Sequence, residues 1–139
     1  MSEKKVYIDP MNIAFAKIME IFTLIGLLVM LIFGLLYIMG MNPYLNMASV
    51  INHWGLPASK FWSQTKGIQV KGYVFLHYLN TMDCLSMLGI CIMALAPLFS
   101  VLGAVLRARN KIYTILLIIL MAEFIFAIIR PIIMAAGGE

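Results

Sequence analysis

Three ionisable side chains lie within, or at the ends of, stretches that are otherwise almost entirely apolar. Counted from Ile112, Glu123 is the twelfth residue of the last apolar stretch, and Arg130 follows seven residues later on nearly the same helix face. Asp83 stands at the start of the preceding apolar stretch. A charged side chain at the centre of a membrane costs at least about 2.5–3.5 kcal/mol and usually faces a partner or a cavity. Asp83, Glu123 and Arg130 are therefore the candidate intramembrane polar residues.

Glu123 is compatible with three kinds of chemistry. A neutral carboxyl could form a structural hydrogen bond with another helix. The side chain could instead contact a partner subunit, or it could relay protons or a substrate across the membrane. The sequence leaves these three interpretations open.

Asp83 and Arg130 are predicted to pair. Only Arg107 to Lys111 separate the last two apolar stretches, which predicts a tight antiparallel hairpin. In such a hairpin Asp83 faces the level of position 135, so Arg130 is about five residues, or roughly 7–8 Å, deeper. A long arginine side chain can cover that distance by snorkelling.

The histidines and cysteines do not form a recognisable metal motif. Membrane haem usually has two axial imidazoles on spanning helices, but His53 and His77 fall outside the apolar stretches. Cys84 and Cys91 are about 10.5 Å apart along a helix, and a disulfide needs Cα atoms within about 7 Å. The twelve methionines could suit copper(I), yet they are also ordinary apolar filler. We expect no metal, no cofactor and no catalytic residue.

The composition indicates a membrane protein. Of 139 residues, 63% are hydrophobic and 12% are charged, and the mean hydropathy is +0.99. Soluble domains carry about 25% charged residues because their surface faces water. The net charge of +4 is spread too thinly to form a basic stripe, so nucleic acid is not an expected partner.

The apolar stretches predict an all-α membrane protein that forms a single domain over residues 1–139. Asp9-Pro10 is a good helix start, and Pro97 is expected to kink the second span. Each stretch reaches the roughly 20 residues that cross a bilayer. The predicted spans are about 12–40, 82–106 and 112–136, with an interfacial connection at 41–80.

The connection is expected to contain amphipathic helical segments that lie on the membrane. Apolar residues recur there at helical spacing, and Gly55 and Pro57 separate two segments. Aromatic residues concentrate at membrane surfaces, and the connection is predicted to carry such an aromatic belt, made of Tyr44, Trp54, Trp62, Tyr73 and Tyr78. The interfacial candidates are Trp54, Trp62, His53 and His77.

Small residues predict close helix packing. Glycine lets two helix backbones approach each other in a membrane. Three helices bury little surface against one another, so a homo-oligomer or a larger membrane-protein partner is expected. The candidate packing residues are Gly26, Gly34, Gly89 and Gly103.

The basic residues favour a cytoplasmic N-terminus and an extracytoplasmic C-terminus in a prokaryotic inner membrane. Basic residues concentrate in cytoplasmic loops. Six of the ten lie at the N-terminus or in the turn between the last two spans, against four on the opposite side. The six are Lys4, Lys5, Lys17, Arg107, Arg109 and Lys111.

The glycines of the first span, the Ala96-Pro97 step and the turn Arg109-Asn110-Lys111-Ile112-Tyr113 form a pattern over roughly residues 12–135. This pattern resembles a family of short three-span bacterial and archaeal membrane proteins (similar to domain of unknown function 1634). Genes of that family often neighbour sulfite-exporter-type (TauE/SafE-like) permeases. The resemblance implies a permease-associated or accessory protein without enzymatic activity.

The sequence thus predicts a non-catalytic accessory subunit that packs against itself or against a larger transporter or redox complex. One alternative is an oligomeric small transporter or channel that uses Glu123. Another is a quinone- or haem-anchoring subunit of a membrane oxidoreductase, with His77 or Asp83 at the site.

Overall fold

A computed structural model describes residues 7–137, which are all-helical and contain no strand. Three helices are long and apolar enough to cross a membrane, and short helices connect the first two. This confirms the predicted fold class. The elements are α1 (Pro10–Ile38), α2 (Met47–His53), α3 (Ala58–Thr65), a 3-10 helix (Val74–Tyr78), α4 (Met82–Arg107) and α5 (Lys111–Ala136).

Side-chain caps and left-handed residues fix the helix ends. The Asp9 carboxylate accepts a hydrogen bond from the Met11 N–H at 2.9 Å, and Pro10 occupies the first helical position of α1. Asn110 caps α5 in the same way, through the Ile112 N–H. After α1 the chain turns through Gly40 at φ +79° and Asn42 at φ 36°. Glycine and asparagine are the residues that tolerate this backbone region best.

The main packing pair consists of α1 and α4, which run antiparallel. Gly26 and Gly89 bring their backbones together: a Cβ atom on Gly89 would lie 2.5 Å from the Gly26 carbonyl oxygen and from the Met30 nitrogen. A Cβ on Gly26 would meet the Gly89 oxygen at 2.6 Å. The crossing therefore accommodates only hydrogen at these two positions.

Contacts on both sides of this crossing extend the α1–α4 interface. The Phe22 and Phe99 rings stack with centroids 4.8 Å apart. Ser86 donates a hydrogen bond from its hydroxyl to the Met30 carbonyl at 3.1 Å. Gly103 faces the side chain of Ile18, and Gly34 faces the Ser86 hydroxyl. All four glycines of the predicted packing set thus lie in the α1–α4 interface.

The last two spans form the predicted tightly turned hairpin, since only three residues, Ala108 to Asn110, separate α4 from α5. The turn between α4 and α5 is short, but the contact between α5 and α4 is much less extensive than the contact between α1 and α4. No residue of α5 is buried. Half-buried residues on α5 recur every three or four positions, which defines one stripe that faces the rest of the chain. The stripe consists of Thr114, Leu117, Met121, Phe124, Ile128, Pro131 and Ala135.

Neither proline interrupts its helix. α4 continues through Pro97 and α5 through Pro131. Near Pro97 the buried Ser100 hydroxyl donates to the Ala96 carbonyl at 2.7 Å. α4 carries most of the buried residues, which accords with its position between the other two spans.

We expect Gly89→Ala to destabilise the α1–α4 pair by about 1–3 kcal/mol, the usual cost of overpacking a core. The new methyl group meets backbone atoms, which can yield only if the helices separate. Gly103→Ala is the matched control, because its methyl group meets only the flexible end of Ile18. Thermal unfolding followed by circular dichroism in detergent measures both variants. Equal stability losses would contradict the tight glycine crossing.

Candidate functional site

Asp83 lies in the first turn of α4 and binds the loop that follows α1. Its two carboxylate oxygens accept hydrogen bonds from the Tyr44 and Leu45 N–H groups, each at 2.9 Å. The Cys84 N–H donates to the same carboxylate at 3.1 Å. A negative charge is also favourable near a helix N-terminus. Asp83 therefore fixes the start of the connection to the start of α4.

Three more hydrogen bonds hold the same loop. The Asn42 side-chain amide donates to the Asn80 carbonyl at 2.7 Å, and the Met82 N–H donates to the Asn42 carbonyl at 3.2 Å. The Tyr37 hydroxyl donates to the Leu45 carbonyl at 2.9 Å. The ends of α1 and α4 are thereby joined on one side of the protein.

The predicted Asp83–Arg130 ion pair is wrong. The Asp83 carboxylate is occupied by backbone N–H groups, and Arg130 forms no ion pair with it in the described part of the chain. Tyr73 makes the link to α5 instead, by donating its hydroxyl to the Ile128 carbonyl at 2.9 Å. Gly72 lies beside Pro131 and Ala135. Sequence reasoning assigned Tyr73 only to the aromatic surface belt.

A cavity of about 330 Å³ lies beneath the connection, at the C-terminal end of α1 and the N-terminal end of α4. Its wall is mainly apolar and aromatic, and Asp83 is the one charged lining residue in the described part of the chain. Such a volume is at the lower limit of small-molecule sites. The lining consists of Tyr37, Tyr44, Leu45, Val50, Trp62, Ile68, Val70, Gly72, Val74, Phe75, Tyr78, Asp83, Cys84 and Met87.

The aromatic wall is organised around Tyr44. Its ring packs on Tyr78 with centroids 4.3 Å apart and planes tilted by 30°. The Lys66 ammonium lies 4.4 Å from the centroid of the Tyr44 ring, which is a cation–π contact. Burial raises the pKa of the Tyr44 phenol, and hydrogen bonding to Tyr78 raises it further. The phenol is therefore neutral at physiological pH.

The other interfacial candidates are distributed unevenly. Trp62 lines the cavity, whereas Trp54 is 78% exposed. His53 is bonded through Nδ1 to the Ser49 carbonyl at 2.8 Å, and His77 is exposed in the 3-10 helix. Cys84, at the cavity, is a free thiol, as is the half-buried Cys91. Residues 7–137 contain no group of three or more His, Cys, Asp or Glu residues that could hold a metal ion.

Glu123 and Arg130 lie on the side of α5 that is turned away from its half-buried stripe. Both are exposed, and neither forms a hydrogen bond or ion pair with another described residue. The structure shows no bond from Glu123 to another helix within residues 7–137, and the three interpretations of this side chain remain predictions. The structure brings Asp83 to the cavity and leaves Glu123 and Arg130 on an outer surface.

We expect Asp83→Asn to free the loop that follows α1. An amide side chain has only one acceptor oxygen, so at least one of the Tyr44 and Leu45 N–H groups loses its partner. Hydrogen bonds to charged groups contribute about 1.5–3 kcal/mol, so amide exchange at these residues should accelerate by tenfold or more. Hydrogen exchange measured by NMR checks this. Asp9→Asn is the control. Unchanged amide exchange at Tyr44 and Leu45 in Asp83→Asn would contradict the Asp83 clamp, that is, the pair of hydrogen bonds by which Asp83 holds these two residues.

Comparisons with known proteins place this fold in context. The chain matches the AF1633-like membrane protein family over residues 1–136. It is similar to an uncharacterized protein of Archaeoglobus fulgidus, with 35% identity over 91% of this chain and 93% of that relative. A second uncharacterized protein of the same organism is 36% identical over 98% of this chain, which spans 59% of that relative's length. No solved structure matches significantly. The chain belongs to the AF1633-like membrane protein family.

Proposed function

We propose that this multi-pass protein is a non-catalytic accessory subunit of the prokaryotic cytoplasmic membrane. It docks through α5 on a larger membrane protein, such as a transporter or a redox complex, or on a second copy of itself. The observation that carries the proposal is the outward position of Glu123 and Arg130 on an otherwise apolar helix with no buried residue.

Energetics support a partner at this surface. A carboxylate and a guanidinium within a spanning helix are costly when they face lipid, and they usually pair or line a cavity. The two side chains are about 10.5 Å apart along α5, too far for a relaxed contact within one helix. A neighbouring helix that offers a donor near Glu123 and an acceptor near Arg130 satisfies both.

The second candidate function is an oligomeric transporter or channel. Several copies that pack through α5 would place their Glu123 side chains at one depth around a common axis. Such a ring of carboxyl groups is a common cation path. The anchoring alternative has less support, because neither histidine lies on a spanning helix.

Cysteine cross-linking tests the docking surface. In a Cys84→Ser, Cys91→Ser background, we expect Phe126→Cys to form disulfide or maleimide adducts in native membranes. Phe126 is 64% exposed on the outer side of α5. Phe124→Cys is the matched control, since it lies two residues away within the half-buried stripe.

The size of the adduct identifies the partner. A doubled mass indicates a second copy, and a larger adduct can be identified by mass spectrometry. Glu123→Gln should reduce the adduct yield severalfold if the carboxyl contributes to docking. Equal yields from Phe126→Cys and Phe124→Cys, or none from either, would exclude α5 as the docking surface. Proton-coupled flux that disappears in Glu123→Gln would favour the channel instead.

We also propose that the N-terminus is cytoplasmic and that the connection is extracytoplasmic. The excess of basic residues in the α4–α5 turn supports this orientation. In intact cells a membrane-impermeant maleimide should label Gly55→Cys and leave Ser2→Cys unlabelled. A Cβ at Gly55 meets nothing within 4 Å, so this substitution is structurally mild. The reverse labelling pattern would invert the assignment.

A further inference from the structure

The cavity between the connection and the ends of α1 and α4 has the chemistry of a cation site. We propose that it binds a small organic ammonium ion, of the quaternary type, against its aromatic wall and the Asp83 carboxylate. The site is independent of the α5 surface, so either proposal can fail without the other.

The aromatic lining provides the first part of the recognition. Five aromatic residues line one cavity of about 330 Å³. The negative faces of aromatic rings attract cations, and cages of such rings are a common way of binding quaternary ammonium groups. The Lys66 ammonium, 4.4 Å from the centroid of the Tyr44 ring, makes a cation–π contact with one of these rings from outside the cavity lining. The five rings belong to Tyr37, Tyr44, Trp62, Phe75 and Tyr78.

The electrostatics of the cavity favour the same ligand. Among residues 7–137, Asp83 is the only charged residue of the lining. Three backbone N–H groups bind its carboxylate. These neutral donors do not cancel the negative charge of the carboxylate, which attracts a cation. Lys66 is exposed and outside the lining, so solvent and salt screen its repulsion.

A quaternary ammonium fits this wall better than a primary one. It has no N–H groups that need acceptors, and the wall offers few polar atoms apart from Asp83. Its methyl groups can contact the apolar residues while its charge is balanced by the carboxylate and the ring faces. An anion would be repelled by Asp83, and an uncharged molecule would lack the charge attraction to it.

Intrinsic fluorescence can test the proposal directly. A Trp54→Phe protein retains Trp62, a cavity residue, as its single tryptophan. In an uncharged mild detergent we expect choline to change Trp62 fluorescence saturably. Its uncharged isostere 3,3-dimethylbutan-1-ol should bind at least tenfold more weakly. Dihexanoylphosphatidylcholine, below its micellar concentration, distinguishes a lipid headgroup from a free ion. If it binds more tightly than choline, the ligand is a lipid headgroup; if choline binds more tightly, the ligand is the free ion.

Two variants complete the test. Asp83→Asn should lose at least tenfold in choline affinity. Because that variant also loosens the connection, Phe75→Leu provides a second measurement: it keeps an apolar side chain of similar size but removes one ring, and it should weaken choline severalfold without affecting the isostere. Equal binding of choline and its isostere, no saturable change with either, or full choline affinity in Phe75→Leu would overturn the proposal.

Discussion

The Asp83 carboxylate accepts hydrogen bonds from two consecutive backbone N–H groups of the loop that follows α1. Both donors would otherwise have to find partners at the edge of the membrane, where unsatisfied backbone groups are costly. By binding them, Asp83 fixes where the connection begins relative to α4. Asp83 thereby also positions Tyr44 and Leu45, which line the cavity beneath the connection.

The glycine crossing and the Asp83 clamp act on the same pair of helices from different positions. Gly26 and Gly89 let α1 and α4 approach closely, because no side chain separates their backbones. In a bilayer there is little hydrophobic driving force between helices, so such close packing and hydrogen bonds must hold them together. The Ser86–Met30 hydrogen bond lies between the crossing and the clamp. These contacts make α1 and α4 the structural base of the protein.

Much of this arrangement could be predicted from the sequence, and the features that could not be predicted have identifiable physical reasons. The spans follow from the length of apolar chain that a bilayer requires, and the importance of Asp83 follows from the cost of its charge. The pairing of helices does not follow, because three apolar helices of similar composition give no signal for which two pack closest. The partners of Asp83 were missed because they are backbone N–H groups, which every residue except proline carries. Tyr73 was likewise recognisable as a surface aromatic, but not as the donor to Ile128.

The position of α5 follows from how it is held. It is tied by the short turn to α4 and by Tyr73 to the connection, yet it buries no residue. A helix held at its two ends is oriented without being covered, so Glu123 and Arg130 keep a fixed depth and direction. Within residues 7–137, no side chain pairs with either of them to offset their placement in an apolar helix. The proposed docking of another molecule, whether a second copy or a larger membrane protein, would offset that cost.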